Sequence, residues 1–129
     1  MSELSTNPKD AIGRTKPPIH LIPASALIHE SMAFANGAVK YGPYNWRSAK
    51  VAATVYVAAA MRHLLSYMDG EDMARDSNVH HLAHARACLA ILLDAAETGN
   101  LVDDRPWPGP AADLLERFTK GVLNDDRVK

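Results

Sequence analysis

The sequence predicts an all-α protein, a small bundle of three main helices with an N-terminal arm and a short C-terminal helix. Three observations predict it. Only 6% of the 129 residues are aromatic while 47% are apolar, so Ala, Leu and Val carry the apolar content, which suits closely spaced helices better than a sheet. Apolar residues recur at helical spacing in three segments, and Gly or Pro stands between those segments. The chain divides accordingly into an arm over 1–24, a helical core over 25–100 and a Pro-rich linker with a helix over 101–129, together one domain.

In the arm, Asn7, Pro8, Pro17, Pro18 and Pro23 punctuate a segment without periodicity. After it, Ser25 is expected to cap a helix over 25–40 in which Ile28, Met32, Ala35 and Val39 form a narrow stripe facing something apolar. The stretch Tyr41-Gly42-Pro43-Tyr44-Asn45-Trp46-Arg47 reads as a loop, because Gly-Pro forces a turn. Ser48 is then expected to cap a second helix over 49–69, stopped by Gly70. Asp76 or Ser77 would cap a third, HHLAHARACLAILLDAAET, ending at Gly99-Asn100. Its apolar residues Leu82, Cys88, Leu89, Ile91, Leu92 and Leu93 cover most of the circumference. Only a strip near Arg86, Ala90, Asp94 and Glu97 remains, so this helix should be buried on several sides, with Asp94 solvated or ion-paired. Residues 102–110 cannot be helical, and Trp107 between prolines is expected to anchor packing. Leu115, Phe118 and Val122 share a face of the last helix, which can clasp a neighbouring subunit.

Charge and length exclude several classes. With 14 Lys and Arg against 15 Asp and Glu there is no basic field to hold polymeric nucleic acid. The lone Cys88 cannot form an internal disulfide and the first residues lack an apolar stretch, so a reducing cytoplasm, that of the host if phage-encoded, is the expected location. No run is long enough to span a membrane. A chain of this size buries only about two-thirds of its unfolded surface by itself, so a homo-oligomer, dimer or tetramer, is expected.

Three constellations can carry chemistry. His63, Glu71, Asp72, Asp76, His80, His81 and His84 gather at the facing ends of the second and third helices. His81 and His84 lie at i, i+3, and His81 points into the bundle between Cys88 and Leu92; His63, Tyr67 and Glu71 fall on one line if the second helix persists. Imidazoles with carboxylates suit a divalent ion, Mg²⁺ through oxygens or Mn²⁺, Co²⁺ or Zn²⁺ with nitrogens included. The competing reading has His80 solvated, His81 and His84 as core or interface histidines, and an acidic capping turn. A second group, Lys40, Tyr41, Asn45, Trp46 and Arg47 with Arg62, offers rings for a base and cations for phosphate; the competing reading makes the rings plugs of the bundle end. Lys9, Arg14 and Lys16 in the arm can fold over a bound anion or stay solvated. A Gly-rich phosphate loop, a nucleophile elbow, a Cys pair for zinc and an adjacent His-Asp dyad are all absent.

Taken as strings, Asn7-Pro8-Lys9-Asp10 with Gly13 and Lys16, HLIPASAL, Gly37-Ala38-Val39-Lys40-Tyr41-Gly42 with Asn45-Trp46-Arg47, Arg62-His63-Leu64, Gly70-Glu71-Asp72, Asp76-Ser77 and His81-Leu82-Ala83-His84 resemble the dATP/dGTP diphosphohydrolase N-terminal domain family. The resemblance spans about residues 7–105. It implies an all-α nucleotide pyrophosphohydrolase similar to the MazG kind, which removes pyrophosphate from purine deoxynucleoside triphosphates and controls the nucleotide pool. Typical enzymes of that kind hold Mg²⁺ through Glu-x-x-Glu and Glu-x-x-Asp, and Glu3, Glu30, Glu71, Glu97 and Glu116 begin neither pattern. In that place stand His81-x-x-His84 with His63 and Glu71. The expectation is therefore a divalent metal on His63, Glu71, Asp72, His81 and His84, with Glu30 and Asp76 as further or supporting ligands. Glu71, His81 and His84 are the expected catalytic residues. Lys9, Lys16, Lys40, Arg47 and Arg62 are expected to meet phosphates, and Tyr41, Asn45 and Trp46 the purine. Two rival classes remain: a non-catalytic nucleotide- or metal-binding module, and an interaction protein whose histidines pack at an interface.

Overall fold

The computed structural model describes residues 7–123, with side chains through Thr119. Its elements are α1 (Pro8–Gly13), a 3₁₀ turn (Ile19–Leu21), α2 (Ala24–Tyr41), α3 (Asn45–Ser48), β1 (Val51–Ala52), α4 (Ala53–Met68), α5 (His81–Glu97), β2 (Leu101–Val102) and α6 (Ala111–Leu123). The three long helices fall close to where the periodicity put them, but α4 starts at Ala53 and not at 49, because Val51 and Ala52 are drawn into pairing with Leu101 and Val102. The arm and the aromatic stretch differ: each contains a short helix that periodicity was too brief to reveal. No described helix is long and apolar enough to cross a membrane.

Helix α5 is central and packs against both α4 and α2. Small side chains make this possible. The buried apolar residues are Ala33, Val51, Ala53, Ala60, Ala74, Ala83, Ala85, Ala87 and Ala95, so the helices approach closely over alanine and the larger residues lie outside. Ala33, Ala83 and Ala87, flanked by Phe34 and Val79, form the α2–α5 contact. Three expectations are corrected here. The stripe of Ile28, Met32, Ala35 and Val39 faces outward, because α2 turns Ala33 and Phe34 toward α5. Leu89 and Leu93 are exposed on α5, whereas Arg86 is half-buried, beside Glu30; Asp94 is ion-paired, one of its two expected states. Trp107 is 94% exposed; the proline-bounded segment gives it nothing among the described residues to pack on. On α6, Leu115 and Phe118 are exposed, and the side chain of Val122 lies outside the described residues.

The helix stops were legible and the caps were not. Gly70 N donates to the Tyr67 carbonyl and Glu71 N to that of Ser66, the two bonds of a Schellman motif, with Gly70 at φ +99°. Gly99 N to Ala96 O and Asn100 N to Ala95 O repeat it after α5, with Gly99 at φ +75°. At the starts, Pro23 precedes α2 without a side-chain cap, so Ser25 is no cap. Ser48 instead donates to the Asn45 carbonyl. The first turn of α4 is satisfied from fifty residues away: the Asp104 carboxylate accepts from Thr54 N at 2.8 Å and from its hydroxyl, and those bonds hold the Asp104 carboxyl below its ordinary range. Asp104 reaches that position because β1 and β2 pair in parallel, Val51 with Leu101 and Ala52 with Val102. Asn100 ties the same corner, its amide donating to the carbonyls of Trp46 at 2.7 Å and Ala49 at 3.2 Å. At α5 the cap is His80, whose Nδ1 accepts from Leu82 N at 3.0 Å; His80 is thus a structural group and not a solvated one.

Candidate functional site

Helix α4 ends at Met68, so the expected single line through His63, Tyr67 and Glu71 is broken. The Schellman turn brings Glu71 back by another route. Residues 69–80 are tied by Ala74 N to Val79 O at 2.8 Å, Asn78 N to Ala74 O at 2.8 Å and His81 N to Asp72 O at 2.8 Å, and this frame aims Glu71 at the start of α5.

There a hydrogen-bonded chain forms. Glu71 Oε2 accepts from Arg75 Nε at 2.6 Å, Glu71 Oε1 lies 2.7 Å from His81 Nε2, and His81 Nδ1 lies 2.8 Å from His63 Nδ1. A carboxylate only accepts, so His81 Nε2 carries a proton. With one proton per ring, His81 Nδ1 then accepts from the Nδ1–H of His63, and the lone pair of His63 rests on Nε2. His81 is 5% exposed, as its inward direction implied. Beside it the His63 and His84 rings stack, 4.7 Å between centroids and 14° between planes. His84 Nε2 lies 2.7 Å from Ser77 Oγ, which also accepts from Val79 N.

Burial pushes the His63 imidazole below its ordinary value, reinforced by His84 and His81. Burial does the same to His84, reinforced by Lys40 and His81 and opposed by Asp76. Glu71 is held below the usual carboxylate range, first by the His81 hydrogen bond and then by Arg75.

His63 and His84 open on a groove of about 800 Å³ that lies between α2 and α4 with α5 as its floor, a volume typical of small-molecule sites. One wall is Phe34, Gly37, Lys40 and Tyr41 with Tyr44, Asn45 and Trp46 beyond the turn; the other is Val55, Tyr56, Ala59, Arg62 and His63; the floor is His84, Ala87, Cys88 and Ile91. Along α4 and α5 the lining passes from Val55, Tyr56 and Ile91 to Arg62, His63 and His84, so an apolar, aromatic end faces a polar, cationic one. Asp76 borders the polar end, 3.9 Å from Lys40. Burial pushes the Cys88 thiol up, which keeps it protonated and inert.

Other expected residues are placed elsewhere. Arg47 does not line the groove: its guanidinium is held by both oxygens of Asp94, which raises its pKa. Trp46 lines the groove, but its indole N–H donates to Asp94 at 2.8 Å and its ring packs on Phe34 and Tyr44. The exposed ring of Tyr41, and the side of the Tyr44 ring turned away from Trp46, are therefore left to stack on a ligand. Lys9 and Lys16 border a separate concavity of about 500 Å³ in the arm, with Arg14 and His20. Asp72 is exposed, and Glu30 lies 3.2 Å from Arg86, away from the histidines.

The donor set does not form the expected metal cage. Among the described residues no group of three or more His, Cys, Asp and Glu side chains is arranged to hold one ion. The reason is visible in the chain: two nitrogens bound tetrahedrally to one metal at about 2.0–2.1 Å would stand roughly 3.4 Å apart, whereas the Nδ1 atoms of His63 and His81 share a proton at 2.8 Å. Sequence reasoning missed Gly37, Tyr56 and Arg75. Gly37 carried a signal, since a glycine inside a helix costs about 1 kcal/mol relative to Ala, and here it leaves the groove wall low.

The chain matches the model of a family described as dATP/dGTP diphosphohydrolase, N-terminal, over residues 6–105. A dATP/dGTP diphosphohydrolase of Salmonella phage PMBT28 is 28% identical over 102 residues, 79% of this chain and 34% of that protein. The chain thus spans about a third of that relative's length. No solved structure matches it.

Proposed function

Because the chain belongs to the dATP/dGTP diphosphohydrolase N-terminal family, we propose that it hydrolyses purine deoxynucleoside triphosphates to monophosphate and pyrophosphate in the groove between α2 and α4. The observation that carries this reading is the polarity of the groove: aromatic residues at one end, Lys40, Arg62 and the histidines at the other. The purine stacks against Tyr41 and Tyr44 with Asn45 at its edge, where an amide can both donate and accept. Lys40 and Arg62 offset the phosphate charge. Water adds to the α-phosphorus, the bond from that phosphorus to the bridging oxygen breaks, pyrophosphate leaves, and the proton lost by water goes to Nε2 of His63. His81 and Glu71 position that ring and stabilise the imidazolium that forms. His84 stacks on it and keeps it from turning. Mg²⁺ or Mn²⁺ enters as part of the substrate, on the triphosphate oxygens, as is usual for Mg²⁺.

The test is to incubate metal-stripped protein with Mg²⁺, Mn²⁺ or Co²⁺ and a panel of dNTPs and NTPs, and to separate the products by chromatography. The expected products are dAMP or dGMP with pyrophosphate. Release of inorganic phosphate from the γ-position would overturn the bond assignment. A second reading, a module that binds the nucleotide without cleaving it, is favoured by the lack of a three-ligand cluster among the described residues. It predicts no turnover with any metal together with a melting temperature raised by dATP or dGTP.

A further inference from the structure

The first residues described are tied turn by turn. The Asn7 side chain accepts from Lys9 N at 3.0 Å at the start of α1, and Arg14 N and Lys16 N donate to the carbonyls of Asp10 and Gly13 at 3.0 and 3.1 Å. Pro17 and Pro18 then fix φ, and Leu21 N closes the 3₁₀ turn on Pro18 O at 3.0 Å. The side chains of this segment thus stand on an ordered backbone. They surround the concavity of about 500 Å³ whose lining is Lys9, Asp10, Gly13, Arg14, Lys16 and His20 with the two prolines. It shares no residue with the groove between α2 and α4.

Arginines elsewhere are mostly committed: Arg47, Arg75, Arg86 and Arg105 each lie against a carboxylate. Lys9, Arg14 and Lys16 have no ion pair among the described residues. Asp10 stands at i, i+4 from Arg14, a spacing at which such pairs form readily, and does not engage it. Three cations against one carboxylate leave this hollow an excess of two positive charges, with His20 uncounted, in a chain whose net charge is -1. Such a local field draws an anion.

We propose that this concavity is an anion site separate from the groove, which takes a diphosphate group, free or carried by a nucleoside, and reads no base. Guanidinium holds phosphate oxygens two at a time and ammonium meets them as a point charge, and three such groups around one hollow suit two linked phosphoryl groups better than one. The volume lies within the range of small-molecule sites. In contrast to the aromatic end of the groove, the lining has no Phe, Tyr or Trp, so it offers a base no broad ring to stack on. The tied backbone lowers the cost of ordering the site when the ligand arrives. The pyrophosphate released in the reaction proposed above has this chemistry, and so has a nucleoside diphosphate.

Isothermal titration of inorganic pyrophosphate into the full chain, without metal or triphosphate, tests the site. The protein titrated carries Lys40→Gln with Arg62→Gln, which strips the groove of its two cations. Binding is expected to persist in it and to weaken as salt is raised. Adding Lys9→Gln, Arg14→Gln and Lys16→Gln should raise the dissociation constant about tenfold or more, with the helical circular dichroism kept because these side chains are exposed. Gly13→Leu should do the same without changing charge, since a Cβ there meets nothing within 4 Å and the longer side chain fills the hollow; it decides the matter should the triple variant misfold. Loss of binding on Lys40→Gln with Arg62→Gln alone, or an affinity that neither arm variant changes, overturns the inference. So does inorganic phosphate binding as tightly as pyrophosphate, or dADP binding more than about tenfold tighter, which is the mark of a base being read. Equal affinity for dADP supports a diphosphate held on either carrier, and exclusion of dADP supports free pyrophosphate as the ligand. No turnover is measured, so failure here leaves the hydrolysis reading standing, and failure of that reading leaves this site standing.

Discussion

Two carboxylates each gather a small polar network in this protein, and the two networks end differently. Asp94 accepts from the indole of Trp46 and twice from Arg47, and nothing is passed on: the donors it holds are spent on it, outside or at the edge of the groove. Glu71 accepts from Arg75 and from His81, and His81 hands the polarity to His63, which borders the groove. The first network is closed and fastens α3 to α5. The second has an open end, the His63 ring, which borders the cavity. Chemistry is to be sought where the last member of a network still has something to give.

The largest effect that separates them is on turnover. His81→Ala should lower the hydrolysis rate by about 10²–10⁴-fold, the usual contribution of positioned proton transfer. It should also flatten the acid limb of the rate profile, because His63 loses its orientation. A rate within threefold of wild type would reduce Glu71–His81–His63 to packing. Next is the groove. Gly37→Leu should raise the dATP or dGTP dissociation constant by about tenfold or more, whereas Gly37→Ala should stabilise α2 by about 0.5–1 kcal/mol; isothermal titration and thermal melts read the two. Equal affinity in Gly37→Leu would place the ligand elsewhere.

A third contrast is in pH. His63 and His84 sit below their ordinary value when folded, so the unfolded chain binds protons first as pH falls. The stability they confer is complete above about 6.5 and is lost progressively as pH falls from there toward their folded values. Melting temperatures from pH 7.5 to 5 should therefore decline, and the decline should shrink in His63→Gln with His84→Gln while Asp94→Asn leaves its slope unchanged. The smallest effect belongs to the closed network: Asp94→Ala should lower the melting temperature by roughly a few degrees and leave turnover per folded molecule within about threefold.

Local signals in the chain marked out the helical core and some of the site. Gly70 and Gly99 foretold both Schellman stops, since only glycine takes the positive φ without strain, and the place of His81 between Cys88 and Leu92 foretold an inward ring. Several of the failures are cases of distance. Ser48 is a good cap by type, yet Asp104 supplies the cap of α4 once a two-residue parallel pairing folds the chain back. Arg47 looked like a phosphate ligand until Asp94, two helices later, engaged it. Trp46 keeps its place at the groove but has spent its N–H. The histidine cluster shows the same dependence: residue types gave the donors, and the placement of Glu71 by the turn made Glu71, His81 and His63 partners of one another.

By itself the sequence determined the all-α class, the extents of the three long helices to within a few residues, and the family, because periodicity, glycine stops and short motifs act locally along the chain. Tertiary structure decided which of several apolar stripes faces inward, alanine winning over Leu and Met because it lets α2 and α4 close on α5. It also decided which polar groups are already satisfied and which remain open to a ligand. Hydrogen-bond saturation depends on partners brought from forty or fifty residues away, and no window along the chain contains both members of those pairs.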